Sequence, residues 1–343
     1  MSKSIGSGNG TAAGLTSSAF PHGDTMVKYI LKRVGVSLLT LLIITFLLFV
    51  LVRIMPGNPF PSERMSAEEI ARTRAEMGLD DPVIVQFGRY MLKVFQGDFG
   101  NGTALYYGAP ISTVLGTCIK NSFSIGGIAI LLGTAVGLIL GIVAALNRDG
   151  FWDVFCTVFS ILGVCVPSYV FLIFLMRIFA NSEVLFILPD RFNQFDFARS
   201  AIIPSVSMSL FTMSTSSRLT RNEMVGVMDS DYVVLAESKG LFGGALVRKH
   251  ILRNALIPIV TVLAPLIVDL LTGALVVEKI YGINGIGKLM VDSLTAGEGI
   301  DYNYVLALGI LYSSLYIGMM LAVDIVYGLI DPRIRVAKKG GSH

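Results

Sequence analysis

The chain has 343 residues, 53% of them hydrophobic and only 15% charged, with a mean hydropathy of +0.71. A soluble domain carries about a quarter charged residues to cover its surface, so this composition excludes an ordinary water-soluble globule and points to lipid as the solvent. The formal net charge of +3 needs no nucleic acid to explain it.

Residues 1–25 are rich in Gly, Ser, Thr and Asn without periodicity and read as a disordered cytoplasmic tail, with Met26 as an alternative start. A bilayer core of about 30 Å needs roughly 20 apolar residues per helix, so the gaps between charged residues locate the spans. Charge-free runs cover 34–52, 121–147, 154–176, 200–217, 254–277 (interrupted by Asp269) and 302–323. They predict six transmembrane helices, the first within 26–55 and the other five in a helical core over 121–330. The first run is too long for a secretory signal and has no small-residue cleavage site after it. The apolar runs lack the alternation of a membrane β-barrel, so the fold class is an all-α integral membrane protein.

Residues 56–120 form a long segment between the first two spans, too long for short-loop charge rules, and are expected to fold outside the membrane. Ser66 with Glu69 gives a helix start that Gly78 stops; Asp81-Pro82 opens a second helix through Val85, Tyr90 and Leu92. The fourth span is polar, with Ser205, Ser207, Ser209, Thr212, Ser214, Thr215, Ser216 and Ser217 and with Pro204 near its start. Such a helix should face other helices or water. Lys28, Lys32 and Arg33, then Arg218, Arg221, Lys239, Arg248, Lys249 and Arg253, then Arg333, Arg335, Lys338 and Lys339 fall on one side of a six-span bundle. The bias places both termini, including the tail 331–343, in the cytoplasm.

The internal connection 218–255 carries two short helices. Asp229 or Ser230 can cap the first, which runs through Tyr232, Val233, Leu235 and Ala236, and Gly240 can end it; the second starts at Leu241 and enters the membrane near Pro258. Ala236 and Gly240, four apart, are expected to share a face that another protein's groove can close on. The same features suit a helix lying on the membrane surface, and the residues alone do not choose. Asp269 is the ionisable residue well inside a predicted span, which makes it a pathway candidate; a hydrogen bond to a neighbouring Ser or Tyr serves equally well. Cys118, Cys156 and Cys165 and His22, His250 and His343 lack metal-site spacing, so no metal, cofactor or catalytic residue is assigned. Gly282-Ile283-Asn284-Gly285-Ile286-Gly287-Lys288 imitates a phosphate-binding loop, but Leu289 stands where magnesium needs Ser or Thr, and a membrane helix rather than a strand precedes it.

The connection from Asp231-Tyr232-Val233-Val234-Leu235-Ala236-Glu237-Ser238-Lys239-Gly240 to His250-Ile251-Leu252-Arg253-Asn254-Ala255-Leu256-Ile257-Pro258 resembles the signature loop of ATP-binding-cassette (ABC) importer permeases. More narrowly, the chain resembles the first of the two permeases of oligopeptide and dipeptide importers over about residues 26–335. Lys28-Tyr29-Ile30-Leu31-Lys32-Arg33, Met55-Pro56-Gly57-Asn58-Pro59, Gly97-Asp98-Phe99-Gly100, Pro167-Ser168-Tyr169, Val277-Glu278-Lys279-Ile280-Tyr281 and Asp331-Pro332-Arg333-Ile334-Arg335 carry the likeness in order. Asn58 replaces the family's usual Asp, Asn284 its usual Pro, and Glu237-Ser238 the common Arg-Ala pair.

The resemblance implies a type I importer architecture in a bacterial cell membrane. Its partners would be a second permease forming a heterodimer, two cytoplasmic ABC ATPases and an extracytoplasmic peptide-binding protein, with the lipid bilayer as surroundings. It also implies that Tyr232, Ala236, Glu237, Lys239 and Gly240 couple to an ATPase: Ala236 and Gly240 for close approach, Glu237 and Lys239 for rim charge, Tyr232 for packing. Nickel, glutathione or another small solute is the alternative cargo in such a family. An ion-driven transporter or a membrane-embedded enzyme would need several intramembrane carboxylates or histidines.

Overall fold

The computed structural model describes residues 22–54, 81–181, 191–256, 275–295 and 300–330, with residues 68, 72, 188, 189 and 270 besides. The helix expected after Ser66, Asp269 and most of the fifth predicted span lie outside the described residues. Among those described there is no strand, only the isolated bridges Asn101–Pro110 and Gly102–Tyr107.

Among the described residues the main helices are α1 (His22–Ile54), α2 (Val83–Phe95), α3 (Ile111–Leu146), α4 (Phe151–Cys165), α5 (Ser168–Asn181), α6 (Ile202–Met228), α7 (Asp231–Ser238), α8 (Gly243–Leu246), α9 (Leu275–Tyr281), α10 (Ile286–Leu294) and α11 (Tyr302–Ile330). Among the described residues, helices in α1, α3 and α11 are long and apolar enough to cross a bilayer. The third predicted span is not one straight helix: α4 and α5 meet at 103° and together make a fourth crossing if counted as one. Pro167 is the cause, since it lacks an N–H and disfavours helical geometry at Val166, which is extended at φ −85°, ψ 116°. The helix expected from Asp81-Pro82 is present as α2, capped by Pro82.

The second predicted span begins ten residues earlier than its charge-free run. At 36 residues, α3 is about 54 Å long, so it overhangs a bilayer core of about 30 Å. Its extra turns bury Ile111, Leu115 and Cys118 against Ile286, Leu289, Tyr304, Ala307 and Leu308. Lys120 does not end it, because a single exposed charge costs little outside the membrane.

The centre of the fold is the seam between α3 and α6. Gly133, Gly137 and Gly141 lie one turn apart on α3, and α6 answers with Ser209, Thr212, Ser216 and Thr220, all buried. A Cβ added at Gly137 would lie 2.5 Å from the Met213 carbonyl oxygen and 2.6 Å from Ser216 Cβ; one at Gly141 would lie 2.5 Å from Thr220 Cβ. Lipid tails give no hydrophobic drive to helix pairing, so close backbone approach through small residues supplies the attraction. The polar α6 thus faces helices, as its composition requires. Ser205 donates to the Ile125 carbonyl and Ser207 to the Ser168 carbonyl, which docks the α4–α5 bend. The hydroxyls of Thr212, Ser214, Ser216 and Thr220 have no partner among the described residues, so their small size is what the seam uses.

The first and last long helices pack together at the edge, with Phe49 and Val52 of α1 against Val305 and Leu306 of α11. Leu31, Leu38, Leu39, Leu42 and Leu47 stay exposed on α1, which suits contact with lipid.

Gly137→Leu should cost at least about 1–3 kcal/mol by overpacking and lower the thermal midpoint of the purified protein by several degrees. Gly127→Ala, where a Cβ meets nothing within 4 Å, and Ser216→Ala, which removes only an unpaired hydroxyl, should leave it unchanged.

Candidate functional site

The α6 helix continues past its buried part to Met228, where Asp229 closes it and Ser230, in extended conformation, begins α7. Of the two caps considered, Ser230 takes the N-cap position, while Asp229 is held by Arg148 at 3.1 Å. That ion pair is exposed and worth little by itself. About two turns earlier, Arg221 donates from Nε and Nη2 to both oxygens of buried Asp153, at 3.0 and 2.7 Å, and Asp153 also accepts the Asp149 amide at 3.0 Å. A bidentate pair fixes orientation as well as distance, so the start of α4 and the end of α6 are tied where the elbow leaves the bundle.

Gly240 ends α7 with φ +84°, and the Leu241 amide donates back to the Ala236 carbonyl at 3.1 Å. This left-handed stop favours glycine. The second helix begins at Gly243, two residues later than expected. After α8 it widens into a π turn at Val247–Ile251 and stays helical to residue 256. The concave side of the elbow closes on a cluster of Ala145, Met224, Val233, Ala236, Leu246, Ile251 and Ala255.

This cluster relocates one predicted residue. Ala236 is 6% exposed and packs into its own chain, so it does not share an outer face with Gly240. With Val233 three positions earlier it forms the inner stripe of α7. Gly240 has open space where a Cβ would stand, and its backbone geometry is its contribution. The outward face carries Tyr232, Val234 and Leu235, with Phe242 beyond the turn at 68% exposed. Glu237 and Lys239 are exposed beside them. Exposed aromatic and branched side chains on the outside of a rigid elbow form a ridge suited to a partner groove. Leu235 and Phe242 face outward too, and the spacing of small residues along the chain gives no sign of it.

Two buried carboxylates anchor the opposite end of the bundle. Glu278, 2% exposed, accepts from Ser122 Oγ at 2.6 Å and from the Gly287 and Lys288 amides at 2.8 and 3.0 Å. Ser122 Oγ in turn accepts the Ile286 amide, and Asn121 donates to the Asn284 carbonyl. The glycine-rich run that imitates a phosphate loop therefore has two of its amides, those of Gly287 and Lys288, occupied by this chain's own carboxylate and a third, that of Ile286, by Ser122. A Cβ at Gly285 would collide with Glu278 and Ser122. Asp301, wholly buried, accepts the consecutive amides of Thr103, Ala104 and Leu105 on one oxygen at 2.8–3.0 Å. It thereby ties the 97–110 loop to the start of α11.

Comparison with known proteins gives the geometry its family. The family described as "Binding-protein-dependent transport system inner membrane component" matches residues 137–336, and its N-terminal companion matches residues 26–124. The chain belongs to this family. It is 36% identical to the dipeptide transport system permease protein DppB of Bacillus subtilis over 92% of this chain and 100% of that one. It is 35% identical to DppB of Lactococcus lactis over 91% of this chain, and 35% identical to the oligopeptide transport system permease protein OppB of Haemophilus influenzae over 90%. A binding-protein-dependent permease of this family is a multi-pass membrane protein, consistent with the long apolar helices.

Ala236→Leu should destabilise the elbow by about 1–3 kcal/mol through overpacking of its inner cluster, read as a lower thermal midpoint. Glu237→Ala and Lys239→Ala, both at the surface, should stay within about 0.5 kcal/mol of the parent.

Proposed function

We propose that this chain is the membrane-spanning permease subunit of a bacterial ABC importer of short peptides, forming half of the translocation pathway with a second permease subunit. Two cytoplasmic ATPases hydrolyse ATP, and an extracytoplasmic binding protein delivers the peptide; the permease carries out no hydrolysis itself. The peptide cargo rests on what DppB and OppB are named for. The basic clusters at 28–33, 218–253 and 333–339 favour a cytoplasmic elbow and cytoplasmic termini.

One observation carries the coupling role: the outward ridge of Tyr232, Leu235 and Phe242 on an elbow whose inner side is packed and whose base is clamped by Asp153 and Arg221. A conformational change is driven only by a contact that differs between the two states. A lever transmits it only if its own joints do not yield. In this reading Tyr232 and Leu235 fill an ATPase groove, Glu237 and Lys239 form the charged rim, Ala236 holds the ridge in shape from inside and Gly240 through the turn that ends α7. Closure of the ATPase pair then moves α7 and, through continuous α6, the glycine seam with α3. The place of Asp269 within an apolar run of the sequence supports it as a candidate pathway residue.

The double variant Tyr232→Asp, Leu235→Asp places two charges in an apolar contact without touching the inner cluster. Affinity purification should return the second permease at the parent ratio and the ATPases at least about tenfold depleted, a loss of about 1.4 kcal/mol or more. ATPases retained at the parent ratio would reject the assignment.

A further inference from the structure

The α2 helix packs against the end of α1 through aromatic rings: Phe87 lies 5.1 Å from Phe46 and 5.6 Å from Phe49, and Tyr90 lies 5.7 Å from Phe49, centroid to centroid. Phe46 is about 12 Å along the helix axis from Ile54, at 1.5 Å per residue, so this contact reaches into the apolar part of a spanning helix. The outward sector of α2 is apolar too. Ile84, Leu92 and Phe95 are 75%, 64% and 80% exposed, and Val85 is also exposed. A helix packed at this level of α1 with such a face suits the bilayer interface better than water.

The polar edge of the same helix borders a cavity of about 560 Å³ between α2, the end of α1, the 97–110 loop and the start of α11. Arg53, Arg89 and Lys93 line it against one acidic residue, Asp98, which already accepts the Gly100 amide at 2.8 Å. Arg53 is held over the Phe49 ring, 4.9 Å from its centroid, and Arg89 pairs with Asp81 at 2.6 Å on an exposed flank. The hydroxyls of Tyr90 and Thr103 are buried at this wall and have no hydrogen-bond partner among the described residues. Three cations thus line this wall against the single carboxylate of Asp98, beside the neutral amides of Gln86, Asn101 and Asn303, a lining whose net positive charge suits a phosphate. Val85 and Leu92, four and three positions from Arg89, put the apolar sector one turn from the cations.

From this juxtaposition we propose that α2 and the adjoining cavity form a binding site for an anionic phospholipid, with the headgroup phosphate among Arg53, Arg89 and Lys93 and the acyl chains along Ile84, Leu92 and Phe95. On the proposed orientation the lipid belongs to the outer leaflet; the site itself depends only on α1 crossing the bilayer. A bound lipid would splint α2 to α1 and so steady the surface that faces the delivery protein.

The test uses the whole transporter reconstituted in nanodiscs of equal phosphatidylglycerol and phosphatidylcholine, extracted gently and weighed by native mass spectrometry. Retained phosphatidylglycerol should exceed retained phosphatidylcholine, and Arg89→Gln, Lys93→Gln together should reduce its retention roughly tenfold or more. Arg89→Lys with Lys93→Arg should keep it. Equal retention of both lipids, or unchanged retention in the glutamine pair, would overturn the proposal. Displacement of the lipid by millimolar inorganic phosphate would overturn it in favour of a soluble-anion pocket. Loss of binding-protein docking with lipid retention intact would overturn it in favour of a protein partner. ATPases should copurify with the glutamine pair in full, which separates failure of this site from failure of the importer assignment.

Discussion

Backbone-to-backbone approach between α3 and α6 is the constraint on which the rest of the structure depends. Three glycines on one helix and a row of serines and threonines on the other leave no room for a β-carbon at the contact. The pair has few ways to slide, because any change of register would drive side chains into backbone. Both functional ends hang from it: α3 presents Ser122 to Glu278 at one end, and α6 runs on into the elbow at the other.

Polar groups are spent where stiffness is needed. Glu278 closes the turn between α9 and α10 onto α3, Asp301 gathers three amides of the 97–110 loop, and Asp153 receives Arg221 in a two-pronged contact. A buried carboxylate is costly unless its lone pairs are filled, and each of these has two or more donors. Removing such a partner strands the charge, so these contacts enforce one arrangement more than they add net stability. On the proposed coupling, a bundle moved as a body by its ATPases gains from joints of this kind.

Much of this was legible in the chain and some was not, for identifiable reasons. Gaps between charges located the long helices, because lipid tolerates few charges at any register. They misjudged where α3 begins, since Lys120 sits outside the apolar layer where a charge is harmless. They also joined α4 and α5 across Pro167, whose effect on backbone geometry outweighs the apolar continuity on both sides. The serine-rich α6 was correctly turned inward, for its hydroxyls have no place against acyl chains. Ala236 was turned the wrong way: a small residue reads equally as an outer contact or as an inner packing site, and only the position of Met224 and Leu246 decides. Glu278 and Asp301 stood in the sequence without any local sign of their role, because their partners lie far along the chain.

If α7 is a lever whose outer ridge is gripped by a separate motor, cysteine cross-linking in native membranes detects the grip most directly. With exposed Cys165 replaced, Leu235→Cys should form a short-linker adduct with an ATPase subunit, while Val233→Cys, buried on the inner side, should form none. Modification of Leu235→Cys by a membrane-impermeant maleimide added outside intact cells, with no adduct to any ATPase, would contradict it.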